Sequence, residues 1–132
     1  ILVSGRLRSG AVASIHVASV PYHASGYRLE VYGSEGSLVA TGAQGPNTGP
    51  LTLLGGKAEG DLEELPIPAR LTWVPEETPR GAPFNVAQMW RRFGEAIRSG
   101  ERAEPNFDAA VTRNRLLDAI QRTSNTGQQQ TL

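Results

Sequence analysis

The side chains that could contact a ligand lie early in the chain. His16 sits within a strand-like run. Tyr22 and His23 follow Pro21 on a connecting segment, and binding residues concentrate on such loops. These three are the substrate-side candidates. Each also has a plain reading, His16 as a half-buried strand histidine and the other two as ordinary loop surface. Arg28, Glu30 and Tyr32 alternate along one run, which places them on a single strand face. They are the interface candidates, and a local charge pair beside an aromatic is their plain reading. Arg113 falls on the apolar stripe of a helix, where a long stem that carries its charge out to water explains it. The carboxylates of Glu63-Glu64 and Glu76-Glu77 are adjacent in sequence, so on a strand they point to opposite faces and cannot share one bond.

Several kinds of chemistry are missing. Gly42-Ala43-Gln44-Gly45 and Gly55-Gly56 lack the G-x-G-x-x-G spacing of a dinucleotide site. The sole lysine, Lys57, is followed by Ala58, so there is no phosphate-binding loop, and no G-x-S-x-G is present. Zero cysteines exclude disulfides, thiol catalysis and cysteine-ligated zinc, and two histidines away from any acidic cluster argue against another metal site. No residue is therefore expected to be catalytic, cofactor-binding or metal-binding.

The 132 residues make about one domain, with 39% hydrophobic and 20% charged residues as in globular proteins. Thirteen basic residues balance thirteen acidic ones, which argues against nucleic acid and anionic lipid as partners. No run approaches a membrane helix and no signal peptide is evident, so a cytoplasmic location is expected. The chain opens on Ile1, which reads as processing or as a piece of a larger protein.

Residues 1–80 read as sheet, and residues 84 to about 125 as two helices, within one domain over 1–132. Leu2–Arg8 and Ala11–Val20 form a hairpin about Ser9-Gly10, whose two-residue turn sets Arg6 against Ala13, Ser4 against Ile15 and Val3 against His16. Tyr27–Gly33 alternates, with Tyr27, Leu29 and Val31 opposite Arg28, Glu30 and Tyr32. Ser34-Glu35-Gly36 turns into Ser37–Thr41. Short strands are expected at Leu51–Leu54 and Asp61–Ile67, the latter an edge because of Pro66 and Pro68. Asn85 is the expected cap of the first helix, with Gln88 three residues on and Phe84 and Met89 as a staple. Val86, Met89, Trp90, Phe93 and Ile97 make its stripe, and Gly100 ends it. Asn106 caps the second helix, with Asp108 in its first turn and Ala109, Leu116, Leu117 and Ile120 on one face, the pattern running out by Gly127.

Each single-striped helix needs a surface to lie on. The expected architecture is α+β, an open and mostly antiparallel sheet with helices packed on one face as a two-layer sandwich. Trp90 and Phe93 are then buried between helix and sheet. The face of Arg28, Glu30 and Tyr32 is left for water, a second domain or a second copy of the chain, in which last case Arg28 of one copy meets Glu30 of the other.

Gly10-Ala11-Val12-Ala13-Ser14, then Tyr27-Arg28-Leu29-Glu30-Val31-Tyr32-Gly33-Ser34-Glu35-Gly36-Ser37-Leu38, then Pro105-Asn106-Phe107-Asp108-Ala109-Ala110, and finally Leu117-Asp118-Ala119-Ile120 with Ser124 and Gly127, occur in an informative order. Over nearly its whole length the chain resembles the C-terminal domain of the glucose–fructose oxidoreductase, inositol dehydrogenase and MocA family. The resemblance implies an N-terminal Rossmann domain that binds NAD or NADP and is missing here, and a sheet face that lines a substrate site or packs in oligomers. It implies a dehydrogenase of sugars, polyols or related hydroxy compounds, and self-association as a homodimer or larger assembly. The family's Glu-Lys-Pro and Asp-x-x-x-His motifs have no match, and Glu76-Glu77-Thr78-Pro79 is not one of them, so no catalytic residue carries over. The chain alone is then inactive and holds no cofactor. The competing readings are a non-enzymatic dimerisation module and a small-ligand binder.

Overall fold

The structure, a computed structural model, describes residues 1–19 and 22–132. Val20 closes the strand expected over 11–20 and Pro21 opens the loop expected after it; both readings, at those positions, lie outside the described residues. Along the chain run β1 (Leu2–Arg6), β2 (Val12–His16), β3 (Tyr27–Tyr32), β4 (Gly36–Gly42), β5 (Thr52–Lys57), β6 (Glu63–Glu64), a 3₁₀ turn at Ala69–Leu71, α1 (Ala82–Ser99) and α2 (Phe107–Thr126). The architecture is α+β with open antiparallel sheets. Among the described residues there are two of them, a pair β1-β2 and a four-stranded sheet in the order β3-β4-β5-β6, where a single sheet was expected. Two compact units divide the chain, one of residues 1–24 and 102–132, the other of residues 25–101.

In the first unit the hairpin register differs from the expected one by a residue. Val3 faces Ile15, Ser4 faces Ser14 and Arg6 faces Val12. The cause is the turn. Gly10 N–H donates to the Leu7 carbonyl at 2.9 Å, Leu7 N–H donates to the Ala11 carbonyl at 2.8 Å, and Gly10 takes a positive φ of 92°. That is a three-residue loop with a glycine bulge instead of a two-residue turn. Because side chains alternate, the slip groups Val3, Gly5, Ala13 and Ile15 on one face. In the same unit α2 starts at Asn106, whose side chain accepts from Ala109 N–H at 3.0 Å, and ends at Gly127 with φ 69°. Ala119 is buried, at 5% exposure.

In the second unit β3 and β4 join through the tight Gly33–Gly36 connection, and Gly33 N–H donates to the Gly36 carbonyl. Tyr27, Leu29 and Val31 do lie opposite Arg28, Glu30 and Tyr32. Across the sheet Leu29 pairs with Ala40 and then Leu53, while Glu30 pairs with Val39 and then Leu54. Val39, 2% exposed, is therefore on the polar-residue face. The strand expected over Asp61–Ile67 contracts to Glu63–Glu64, although Leu65 N–H still reaches the Leu53 carbonyl before Pro66 ends the pairing. In exchange β5 extends through Gly55-Gly56 to Lys57.

α1 begins at Gly81, four residues before the expected cap Asn85. Asn85 is inside the helix, its N–H bonded to the Gly81 carbonyl and its side-chain amide donating to the Pro46 carbonyl at 3.0 Å. Pro83 is tolerated because the first-turn N–H groups have no helical acceptor. Gly100, at φ 74°, ends the helix as expected.

The burial of Trp90 and Phe93 is not found. They are 66% and 49% exposed, and their rings meet edge to face with centroids 5.9 Å apart. The physical reason is what holds α1. Gln88 accepts from Trp73 N–H at 2.6 Å and donates to the Leu71 carbonyl at 2.9 Å, and Arg92 lies 4.9 Å over the Trp73 ring. With the Asn85–Pro46 bond, polar clasps fasten the helix to the segments around residues 46 and 71–73. The apolar stripe takes no part in them.

Candidate functional site

The alternation of β3 puts Arg28, Glu30 and Tyr32 on one face, and the structure brings these three together. Arg28 Nη2 donates to Glu30 Oε1 at 2.6 Å, within one strand of one chain. The pair thus closes within one chain. The hydrogen bond from Arg28, with the Tyr32 phenol beside the same carboxylate, holds Glu30 below the ordinary carboxylate range. The same hydrogen bond raises Arg28 above its usual value, and the Glu30 carboxylate raises the Tyr32 phenol. All three groups are exposed, so solvent screens these couplings.

The antiparallel register then sets a row across the sheet, Arg28 beside Thr41 beside Thr52. Directly opposed residues have Cβ atoms roughly 4.5–5.5 Å apart. This row borders an open groove of about 470 Å³ at the end of the sheet, lined by Ser25, Tyr27, Arg28, Thr41, Gly42, Ala43, Pro50 and Thr52. Two glycines make that rim possible. Gly26 holds φ 82°, and a Cβ there would come within 2.4 Å of the Gly42 carbonyl oxygen. A Cβ on Gly42 would meet Leu51 Cδ2 at 2.7 Å and the Pro50 carbonyl oxygen at 2.8 Å. The strand ends therefore approach too closely for any side chain.

The substrate-side candidates lie elsewhere. His16 ends β2 opposite Leu2 and is exposed, and Tyr22 and His23 are exposed on the following loop, His23 with a positive φ of 54°. No hydrogen bond or ion pair among the described residues joins His16, Tyr22 or His23 to one another. Arg113 is exposed on α2. Among the described residues no group of three or more histidine, cysteine or acidic side chains could hold a metal. Among the described residues no helix is long and apolar enough to cross a membrane.

Sequence reasoning missed Thr41, Thr52 and Ser25. Both threonines fall in expected strands, and their parity was available. What was lacking was the register across the connection from Ala43 to Leu51, which alone aligns them with Arg28. Neither helix start fits a dinucleotide pyrophosphate. α1 follows the 3₁₀ turn and a coil, and Pro83 removes a first-turn N–H that an anion would need; at α2 the Asn106 oxygen already occupies the Ala109 N–H.

The family model described as oxidoreductase family, C-terminal alpha/beta domain, matches residues 1–132, the whole chain. No curated protein and no solved structure matches it.

Proposed function

Since the chain belongs to this family of oxidoreductases as its C-terminal alpha/beta domain, we propose that it is the substrate-side and assembly domain of a longer NAD(P)-dependent dehydrogenase of sugars, polyols or related hydroxy compounds. In this reading hydride transfer and dinucleotide binding belong to a separate Rossmann domain, which agrees with the helix starts described above. This chain contributes sheet surface in the cytoplasm.

The observation that carries the reading is the two-sided character of the four-stranded sheet. One face holds Leu29, Val31 and Leu38, 50%, 53% and 44% exposed, in a contiguous block with Ala40 and Leu53. An apolar block of this kind on an ordered sheet suits association. Its proposed occupant is a second copy, because the block is free of charge until Lys57 and Glu63 at one end, and a two-fold pairing can set these opposite charges against each other. The other face, covered at Val39, leaves Arg28, Thr41 and Thr52 at its rim for a small ligand.

Two measurements test this. The longer protein should reduce NAD or NADP in the presence of a polyol or sugar; a panel of such compounds giving no nicotinamide reduction with either dinucleotide would overturn the catalytic reading. Sedimentation of this chain at tens of micromolar should show a dimer that Leu29→Ser weakens and Tyr32→Ala spares. A monomer, or the reverse order of sensitivity, would overturn the assembly.

A further inference from the structure

We propose that the groove bordered by Arg28, Thr41 and Thr52 binds a small polyhydroxy monocarboxylate, with Arg28 taking the carboxylate and the two threonine hydroxyls taking ligand hydroxyls. The polyol part of this inference rests on the proposed substrate class, whereas the carboxylate part rests on the groove alone. About 470 Å³ is within the range of small-molecule sites, roughly 300–1,000 Å³.

The charge pattern selects the ligand. Arg28 carries five N–H donors in a planar fork, and Glu30 engages Nη2. The remaining donors of the fork have no protein partner among the described residues. That contact pins the guanidinium while leaving an edge to meet a carboxylate side by side, the strongest form of such a contact. Arg28 is the one cation lining the groove and the Glu30 carboxylate stands beside it, so the second negative charge of a dianion would meet no cation and would face Glu30. A phosphorylated sugar is therefore disfavoured and a single carboxylate is suited.

The hydroxyl pattern selects the rest. Thr41 and Thr52 repeat at the strand separation of about 4.8 Å, and each hydroxyl both donates and accepts. Two such groups in a row beside a cation match a chain of hydroxyls ending in a carboxylate better than a lone acid. Ala43 and Pro50 give apolar wall for the carbon backbone.

The test uses the chain with four probes: gluconate, glucitol, acetate and glucose 6-phosphate. Amide shifts read binding at Thr41 and Thr52. Gluconate should saturate the groove and bind roughly tenfold or more tightly than any of the other three. Arg28→Gln should weaken gluconate by roughly 10- to 100-fold, the usual loss for a charged hydrogen-bonding partner. Arg28→Lys, which keeps the charge without the fork, should recover only part of it. Thr41→Val and Thr52→Val should each cost a few-fold and narrow the preference for gluconate over acetate. Glu30→Gln should admit glucose 6-phosphate. Unaltered shifts in the strands away from the groove verify that each variant is folded, and a variant that loses them is replaced by its conservative partner, Arg28→Lys or Thr→Ser. No saturable gluconate shift at Thr41 and Thr52, or gluconate binding indifferent to Arg28→Gln, would overturn the inference. No hydride transfer is read here, so a longer protein that binds gluconate but reduces no dinucleotide would remove the dehydrogenase reading alone.

Discussion

Gln88 bonds two groups of one backbone segment, so its removal isolates what fastens α1 to residues 69–73. Its carbonyl oxygen accepts from Trp73 N–H at 2.6 Å and its amide donates to the Leu71 carbonyl at 2.9 Å. This is the pairing a neighbouring strand would offer. Each such bond contributes about 0.5–1.5 kcal/mol net, so Gln88→Ala should lower the local opening free energy by about 1–3 kcal/mol. Alanine is a slightly better helix former than glutamine, by a few tenths of a kcal/mol, too little to mask this. The loss converts to Trp73 amide exchange roughly 5- to 150-fold faster, since about 1.4 kcal/mol is tenfold. Gln88→Glu keeps the acceptor for Trp73 N–H but sets an anion against the Leu71 carbonyl, so its exchange should lie between the other two. Native-state hydrogen exchange read by NMR provides the assay, with the Trp73 indole fluorescence as a second probe. Trp73 exchange unchanged in Gln88→Ala would refute the clasp, as would a Glu variant that exchanges faster than the Ala one.

Gly26→Ala should cost roughly 1–2 kcal/mol for the positive φ alone, and more from the 2.4 Å approach to the Gly42 carbonyl, whereas Gly5→Ala, with open space around it, should stabilise by up to about 1 kcal/mol; urea melts giving equal effects would refute the difference. The Glu30 carboxyl should titrate below the ordinary range by NMR and return towards it in Arg28→Gln. Because the folded value is depressed, the pair's contribution is present above the unfolded carboxylate pKa and is lost as pH falls through the folded one, so the stability gap between wild type and Arg28→Gln should close in acid. Asn106→Ala should cost about 1 kcal/mol through the lost cap on Ala109 N–H, read as earlier urea unfolding of α2. Trp90→Ala should cost only about 1 kcal/mol, near the worth of its edge contact with Phe93, where burial under a sheet would have made it ~3–5 kcal/mol.

Local signals were legible and distant ones were not. The alternation of Tyr27–Tyr32, the glycine stops at Gly100 and Gly127 and the cap at Asn106 depend on neighbours in sequence, and each appears where those neighbours require it. Ser9-Gly10 suits two loops, and the choice turned on whether Gly10 is the second residue of a turn or the bulge after one. Asn85 has the chemistry of a cap, yet its partner is the Pro46 carbonyl, 39 residues away. Gln88 likewise has the spacing of a capping box and bonds 15 and 17 residues back. For the groove, Arg28 was singled out from β3 alone, but its threonine neighbours needed the pairing of three strands. The apolar stripe of α1 predicted a packed face, and the polar clasps that orient the helix left no mark in hydropathy.

The two outer strands of the larger sheet have unequal capacity for growth. β6 is only Glu63–Glu64, and Pro66 and Pro68 lie just beyond it, so a further strand would meet two like charges and missing N–H donors. At β3 six residues present a regular edge with alternating Arg28 and Glu30, fit for an antiparallel neighbour of the same sequence. Edge-to-edge addition therefore has a valence of one. A second copy joining at β3, a mode distinct from the face-to-face pairing proposed above, would consume both competent edges and leave an acidic, proline-flanked terminator on each side. Polymerisation along the strand-pairing direction would end at eight strands, and the sheet limits its own propagation without any covering element.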